Sequence, residues 1–446
     1  MSYDSERKSS MKVSHCMNCH SVHLEQFIDL GNQPNGNVFP GLDDLDREQM
    51  FSCAMLVCTD CWQVQLGEFP PVGDMFTDHP YITGLNQPVV SHFEQLAHHI
   101  VQKFAIPPNS LVLDIGANDG TLLSKFRDCR MRVLGIDPSK RTSQLARAAG
   151  VTVAEAFWNR ESAEAIKHLG IYPDLITATA VFYHVEDIHS FVQGLELVMG
   201  ENTVFCAQCV YLKDLVDKVQ FDHFYHEHTL IHAISPLRDL FSRYGLRLLD
   251  VDFYPIHGGS FVLYVGREES RFPSTRAIAD AIVEEKRVGL DQLQTYLNFT
   301  KRVEQNKQDL LSLLAGIKQA GKRVFGLGAP LKGSTLLNYY GIGPDLVACL
   351  TEVNPHKIGR YTPGTHIPIV YENAIDDQPD YYLLLSWNFL EFFVEKYAAY
   401  LNSGGKFIVP HPTVNVIGKD GQSQSARKRW LTSRSYSHEN IAHHSI

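Results

Sequence analysis

Residues 111–126 read Leu-Val-Leu-Asp114-Ile-Gly116-Ala-Asn118-Asp-Gly120-Thr-Leu-Leu-Ser-Lys-Phe. An apolar, strand-like run ends in a glycine-broken turn, and a helix pattern opens directly behind it. Downstream, MRVLGID (131–137) reads as a strand and SQLARAA (143–149) as a helix. PDLITATAVF (173–182) and ENTVFCAQCV (201–210) read as further strands. This alternation predicts an α/β chain built on a doubly wound, Rossmann-like parallel sheet.

The flanks divide the 446-residue chain further. Residues 13–75 hold five of the nine cysteines and turn-rich stretches such as GNQPNGN, a small metal-stapled unit. Residues 76–270 form the central Rossmann-like unit, entered through an amphipathic helix near 88–104. Residues 271–320 read as a helical connector, one long helix or a pair. Residues 321–415, opening with KRVFGLGAP, read as a second Rossmann-like unit, and 416–446 as a flexible tail. The first ten residues are polar and expected to be mobile.

Composition excludes several classes. The hydrophobic fraction is 44%, and no apolar run is long enough to span a bilayer. A formal net charge of -10 opposes general nucleic-acid binding, which needs cations against phosphates. The N-terminal MSYDSERKSSMK lacks the apolar core of a secretory signal. The cysteine usage fits thiolate ligands in a reducing cytoplasm better than a disulfide framework. Oligomeric state is not legible.

Cys16-x-x-Cys19 and Cys58-x-x-Cys61 are two pairs with the gap that lets one turn present both sulfurs to a tetrahedral ion. Four thiolates would close the coordination sphere, so structural rather than catalytic zinc is expected. The 38 residues between the pairs exceed the usual ribbon gap, and buried free thiols are the alternative. Cys206-x-x-Cys209 repeats the spacing but lies in an apolar strand, where it reads as core.

In the 111–126 stretch, Asp114, Gly116, Asn118 and Gly120 form a loop over a helix N-terminus. Asp137 ends the next strand, 23 residues after Asp114, where a nucleoside site places a carboxylate for ribose hydroxyls. The full G-x-G-x-x-G is missing, which disfavours NAD. Two carboxylates without a basic residue suit a cofactor without phosphates, S-adenosylmethionine. A tight turn of any α/β protein would explain the glycines but not Asp137.

His184 follows a strand-like run and so faces a ligand crevice. Tyr225-His226-Glu227-His228 gathers groups suited to moving protons. His226 and His228 would point to opposite faces of an extended segment, which argues against shared metal ligation. A general base held by a neighbouring carboxylate or phenol is one reading; a structural histidine cluster is the other.

CMNCHS (16–21), DLGNQPNGNVF (29–39), CTDCWQVQL (58–66), LDIGANDGTLL (113–123), FDHFYHEH (221–228), HGGSF (257–261), GLGAPLKGSTLLNYYGI (326–342) and LLSWNF (384–389) occur in one order. That order, over roughly residues 14–412, resembles the bacterial sugar C-methyltransferase family of deoxysugar biosynthesis. The resemblance implies a zinc-binding N-terminal domain, a central S-adenosylmethionine domain and a C-terminal Rossmann-like domain without cofactor. It implies methylation of a carbon beside the ketone of a nucleotide-linked 4-keto-deoxysugar. It carries catalytic roles onto Tyr225, Glu227, His228, His184 and Tyr81, with His228 as base, Glu227 orienting it, and Tyr225 or His184 meeting the enolate. Substrate contacts are expected from His226, His257, Lys332, Ser334 and Asn388, with Trp387 beside the last. Departures fall at His79, Pro80, Gln208, Ile231, His232 and Val262, positions near the acceptor. An O- or N-methyltransferase, or a zinc-stapled binding module with a degenerate fold, are the alternatives.

Overall fold

The computed structural model describes residues 10–77 and 79–419. The expectation of a mobile start falls on residues that, Ser10 apart, lie outside that range. The central sheet has seven strands. Their order is Leu246–Tyr254, Ser260–Arg267, Val204–Val210, Leu175–Thr179, Leu111–Ile115, Arg132–Ile136 and Val153–Ala154. The last five are parallel, and Ser260–Arg267 runs antiparallel to both of its neighbours. The expected parallel sheet thus ends in an antiparallel hairpin. Strand order reverses between Leu111–Ile115 and Leu175–Thr179, which opens a crevice at their carboxyl ends.

The helix Gln87–Lys103 begins where the Asn86 side chain accepts from the Val89 N–H and Pro88 fills its first turn. Val89, Phe93, Leu96, Ala97 and Ile100 form its buried stripe. Cys206 and Cys209 are buried in a strand whose seven residues are all buried, as expected of core thiols.

The C-terminal sheet has the order Ile369–Tyr371, Leu350–Glu352, Val324–Leu327, Tyr381–Leu384, Lys406–Val409 and Asn415–Ile417. Only the last strand is antiparallel. That strand corrects the expected start of the tail at 416, since Val416 and Ile417 pair with Ile408 and Phe407. The rest of the tail, from 420, lies outside the described residues. The connector is a pair of helices, Arg276–Arg287 and Leu293–Gln319. The longer one lies against the N-terminal unit, where Thr300 Oγ1 donates to the Phe27 carbonyl at 2.6 Å and Tyr296 stacks on Trp62.

The N-terminal unit is an antiparallel sheet of Leu24–Pro34, Met50–Cys58 and Val64–Leu66. Its fourth strand, Leu230–Ile231, arrives from the middle of the chain and pairs with Gln65 and Val64. The segment just before that strand is 225–228, so the N-terminal sheet anchors the proton-handling cluster.

Beside this sheet the Sγ atoms of Cys16, Cys19, Cys58 and Cys61 all lie within 4.8 Å of one another. Cys16–Cys61 and Cys19–Cys58 are separated by 3.5 and 3.6 Å. Sulfurs bound tetrahedrally to zinc at about 2.3 Å stand about 3.8 Å apart, so the cluster fits a structural zinc ion. The knuckle docks onto the helix Ile234–Ser242: buried Asn18 donates to the Pro236 carbonyl at 3.0 Å and its side chain accepts from Arg243. Elemental analysis of the purified protein should therefore give about one zinc per chain. Cys58→Ser should lower both bound zinc and the melting temperature. Full zinc content in that variant would remove Cys58 from the ligand set.

Candidate active site

A cavity of about 1090 Å³ opens at the carboxyl ends of the central strands and is walled by all three units. The N-terminal unit contributes Asn37 and Val72, and the segment directly after it Phe76, His79 and Tyr81; the C-terminal unit contributes Lys332, Lys357 and Asn388. The central unit contributes the glycine loop, Asp137, His184 and the 223–228 segment.

Asp137 shows why the loop holds its shape. One carboxylate oxygen accepts the Asn118 N–H at 2.8 Å, and the other accepts the Ser139 N–H and the Thr142 hydroxyl, both at 2.9 Å. Asn118 stands at φ 49°, a left-handed conformation that asparagine tolerates. Its side chain accepts from the Thr83 N–H at 3.0 Å and donates to the Tyr81 carbonyl at 3.1 Å. The 81–84 loop is thereby tied to the cofactor loop, and Tyr81, 42% exposed, stands at the cavity wall. Gly116, at φ 73°, has Val181 so close that an added Cβ would fall 2.3 Å from it.

Asp114 is buried and accepts the Thr177 hydroxyl at 2.6 Å. Burial pushes its carboxyl up to about 7. Asp114, Gly116, Asn118 and Asp137 line the cavity, whereas Gly120 does not. Gly120 stands at φ 79° before the helix Thr121–Asp128, packed against Val151 and Ala146. It lets the helix turn in beneath the loop, which corrects the expectation of a cofactor contact.

Residues 225–228 form a turn, closed by the His228 N–H on the Tyr225 carbonyl at 2.8 Å, instead of the extended segment expected. The turn points Tyr225, Glu227 and His228 at the cavity and sends His226 away. His226 Nε2 meets the Ser52 carbonyl at 3.1 Å and its ring abuts Phe51 edge-on, so it is no cavity residue. His228 Nδ1 faces the His223 carbonyl at 2.8 Å. A carbonyl only accepts, so Nδ1 carries the proton and Nε2 keeps its lone pair. Burial holds this imidazole well below its ordinary value, hence neutral.

The expectation that Glu227 orients His228 is corrected. Glu227 accepts from Asn37 Nδ2 of the N-terminal unit and pairs at 3.2 Å with Nε2 of His79, just after that unit. Burial pushes Glu227 up, but the His79 imidazole and the Asn37 amide more than offset this and hold it below the usual carboxylate range. His184 packs 5.1 Å from His228 between ring centroids, and its Nε2 is buried without a protein partner. Tyr225 lies across the His228 ring at 3.9 Å between centroids. Gln208, at the strand end, accepts from His92 Nε2 at 2.8 Å.

On the opposite wall Lys332 is bonded to Asn388 Oδ1, and its ammonium sits 4.2 Å above the Trp387 ring. Burial drops its amine to about 8. His257 lines the cavity at φ 58°, and burial holds its imidazole down to about 4. Ser334 is buried inside its helix and does not line the cavity, contrary to expectation, because it falls on the face packed into the core.

The sequence reading set His79 near the acceptor but did not single out Asn37, His223, Glu352 or Lys357 as site residues. Glu352 had a signal: it ends a strand 24 residues after Gly328, nearly the interval from Asp114 to Asp137. Nothing local marked the others. No helix among the described residues is long and apolar enough to cross a membrane.

The walls differ in charge. The central unit presents Asp114, Asp137, Glu186 and Asp187 and no lysine or arginine. The lysines that line the cavity, Lys332, Lys357 and Lys396, all belong to the C-terminal unit. Of the carboxylates beside them, Glu352 accepts the N–H groups of Ala329, Val353 and Asn354, and Glu372 pairs with Lys396. An acidic wall suits the sulfonium and ammonium groups of S-adenosylmethionine; a wall with Lys332 and Lys357 suits an anion.

Three family descriptions match successive parts of the chain. "Putative zinc binding domain" covers residues 16–76, "Methyltransferase domain" 90–251 and "C-methyltransferase C-terminal domain" 255–412. The chain is 30% identical over 410 residues to the C-methyltransferase NovU of Streptomyces niveus, covering 92% of this chain and 98% of that one. Among solved structures, magnesium protoporphyrin IX methyltransferase of Synechocystis PCC 6803 with bound SAH is 14% identical. The match covers 40% of this chain and 83% of that one, at a TM-score of 0.32. An S-adenosylmethionine-dependent methyltransferase of Clostridium acetobutylicum is 13% identical over 40% of this chain and 92% of its own, at a TM-score of 0.32.

Asp114 generates a pH prediction. Its carboxyl titrates at 3.8 in the unfolded chain and about 7 in the fold. The fold therefore holds the proton more tightly, and stability falls as pH rises between those values. Asp114→Asn should raise the melting temperature of the cofactor-free protein at pH 8 and leave it little changed near pH 4. An equal effect at both pH values would show that the aspartate is not protonated in the fold.

Proposed function

The chain belongs to the C-methyltransferase family and is an S-adenosylmethionine-dependent C-methyltransferase, and from that premise we propose that its acceptor is a nucleotide-linked 4-keto-deoxysugar, methylated on the carbon beside the ketone. The observation that carries this reading is the sorting of charge across one cavity, acidic on the central wall and cationic on the C-terminal wall. The acidic loop of Asp114, Gly116, Asn118 and Asp137 would hold the cofactor. Lys332, with Asn388, and Lys357 would take the acceptor diphosphate, whose bidentate charge matches two separated ammonium groups.

Between these walls lie the groups that move protons. A C–H beside a ketone is acidic only if a base receives its proton while the enolate oxygen finds a donor. In this reading His228 Nε2 takes that proton, with Nδ1 fixed by the His223 carbonyl so that the ring cannot turn. Burial disfavours a lone imidazolium, yet the same step creates an enolate beside it, so the pair stays neutral overall. His184, whose Nε2 lacks a protein partner, or the Tyr225 hydroxyl donates to the enolate oxygen. Bound S-adenosylmethionine supplies the electrophilic methyl group that the enolate carbon captures. Glu227, held by His79 and Asn37, keeps the 225–228 turn against the N-terminal unit.

The test is mass spectrometry with S-adenosylmethionine and dTDP-4-keto-2,6-dideoxyglucose in deuterated water. A methyl gain is expected, together with solvent deuterium beside the ketone when cofactor is withheld. His228→Asn should lower turnover by a factor of about 100 to 10,000 and abolish the deuterium exchange while leaving cofactor binding intact. Wild-type turnover in that variant would remove His228 from the chemistry. Cofactor binding with neither methyl nor deuterium incorporation in the wild type would overturn this acceptor.

A further inference from the structure

Directly before the proton-handling turn stands an acid that the chemistry above does not use. Asp222 is wholly buried in the short turn Phe221–His223. One of its oxygens accepts the Trp387 indole N–H at 2.7 Å; the other has no hydrogen-bond partner, with His411 Nε2 nearest at 3.5 Å. A carboxylate with no solvent and one donor is costly unless a cation shares its environment. The His411 imidazole is held below its ordinary value by burial and does not supply that cation. A lasting cation shares the same indole: the Lys332 ammonium sits over its ring face. Among the described residues no carboxylate lies within ion-pair distance of Lys332.

We propose that Asp222 is a positioning residue for the acceptor: its buried carboxylate, bonded to the indole over which Lys332 sits, keeps Lys332 as a cation aimed at the acceptor's diphosphate. The inference rests on the nucleotide-sugar reading above. The indole is fixed at its edge by its hydrogen bond to Asp222 and offers its ring face to Lys332, while Asn388, the next residue, accepts from the same ammonium. The groups facing Lys332 are Asp222 and His223 from the 221–223 turn, His257 from the 256–258 turn, and His411. Burial keeps all three imidazoles neutral at neutral pH, which leaves Asp222 as the group that supports the charge. Burial pulls Lys332 down and Asp222 opposes that pull, leaving its amine at about 8. Because His223, the next residue, fixes His228 through its carbonyl, one three-residue turn sets both the anion anchor and the base.

The experiment is calorimetric binding of dTDP-glucose and UDP-glucose to the full-length protein between pH 6 and 9. Their diphosphates carry constant charge over that range, so a change in affinity reports the protein. Wild-type affinity should fall as pH rises through about 8, and Lys332→Met should bind weakly at every pH. Asp222→Asn keeps an acceptor for the indole but loses the charge. It should bind near normally at pH 6 and lose affinity at a midpoint lower by about one pH unit. Trp387→Phe breaks the same hydrogen bond but keeps the charge, so its affinity should drop with the midpoint unmoved. An unmoved midpoint in Asp222→Asn, or a midpoint that moves down in Trp387→Phe should Asp222→Asn not fold, would overturn the role of Asp222. Failure of the wild type to bind either nucleotide sugar would instead overturn the acceptor reading, and this inference with it.

Discussion

One eleven-residue stretch, 221–231, is held by every part of the molecule, and the site exists because it is. Its first turn reaches the C-terminal unit through Asp222 and Trp387. Its middle fixes His228 on the His223 carbonyl. Its turn residue Glu227 is clasped by Asn37 and His79, and its end becomes a strand of the N-terminal sheet. A loop with no regular structure of its own would ordinarily sample many conformations. Here backbone pairing at one end and buried side-chain bonds along its length remove that freedom before any ligand arrives, which is what the proposed base would need to meet a carbon acid in line.

The electrostatics follow from the same enclosure. Closing three units around one cavity removes solvent from His184, His223, His228 and His257, and each imidazole responds by staying neutral. Neutral imidazoles serve as proton acceptors and as uncharged hydrogen-bond donors. Net charge is then left to the walls: acidic on the central sheet, cationic on the C-terminal unit. Small separations between these groups matter more in such a site than the overall charge of the chain, because the local dielectric is low.

What was legible in the sequence was what is contiguous. The strand, loop and helix at 111–126 are one local motif, and Asp137 lies one strand away, so the sheet and its acidic loop could be read directly. The four cysteines could be paired because each pair carries its own short spacing. What was not legible depends on distant partners. Nothing near 230 says that two residues will cross to the sheet of 24–66, and that crossing is what bends 225–228 into a turn and sends His226 outward. Glu227 looked like the natural partner of its neighbour His228, yet its bonds run to residues 37 and 79, far away in the chain. Gly120 and Ser334 belong to motif-like strings, but each faces a packing surface, which a string of letters does not reveal.

The C-terminal unit keeps the outline of a dinucleotide site while having closed it. Gly328, at φ 81°, turns the chain after the strand Val324–Leu327, and Glu352 ends the next strand, where a ribose-binding acid would stand. That carboxylate is taken up by three backbone N–H groups, from Ala329, Val353 and Asn354. Pro330, at the helix cap, has no N–H to offer, so the phosphate cradle of such a site is short of donors. With three backbone N–H groups turned to Glu352 and Pro330 lacking one, an anion bound here relies more on side chains. Lys332 and Lys357 are the side chains in place, one above Trp387 and the other above Phe39. The fold that elsewhere grips a cofactor through its backbone is left with point charges facing the 225–228 turn, an arrangement that suits the proposed acceptor, which must leave after each turnover.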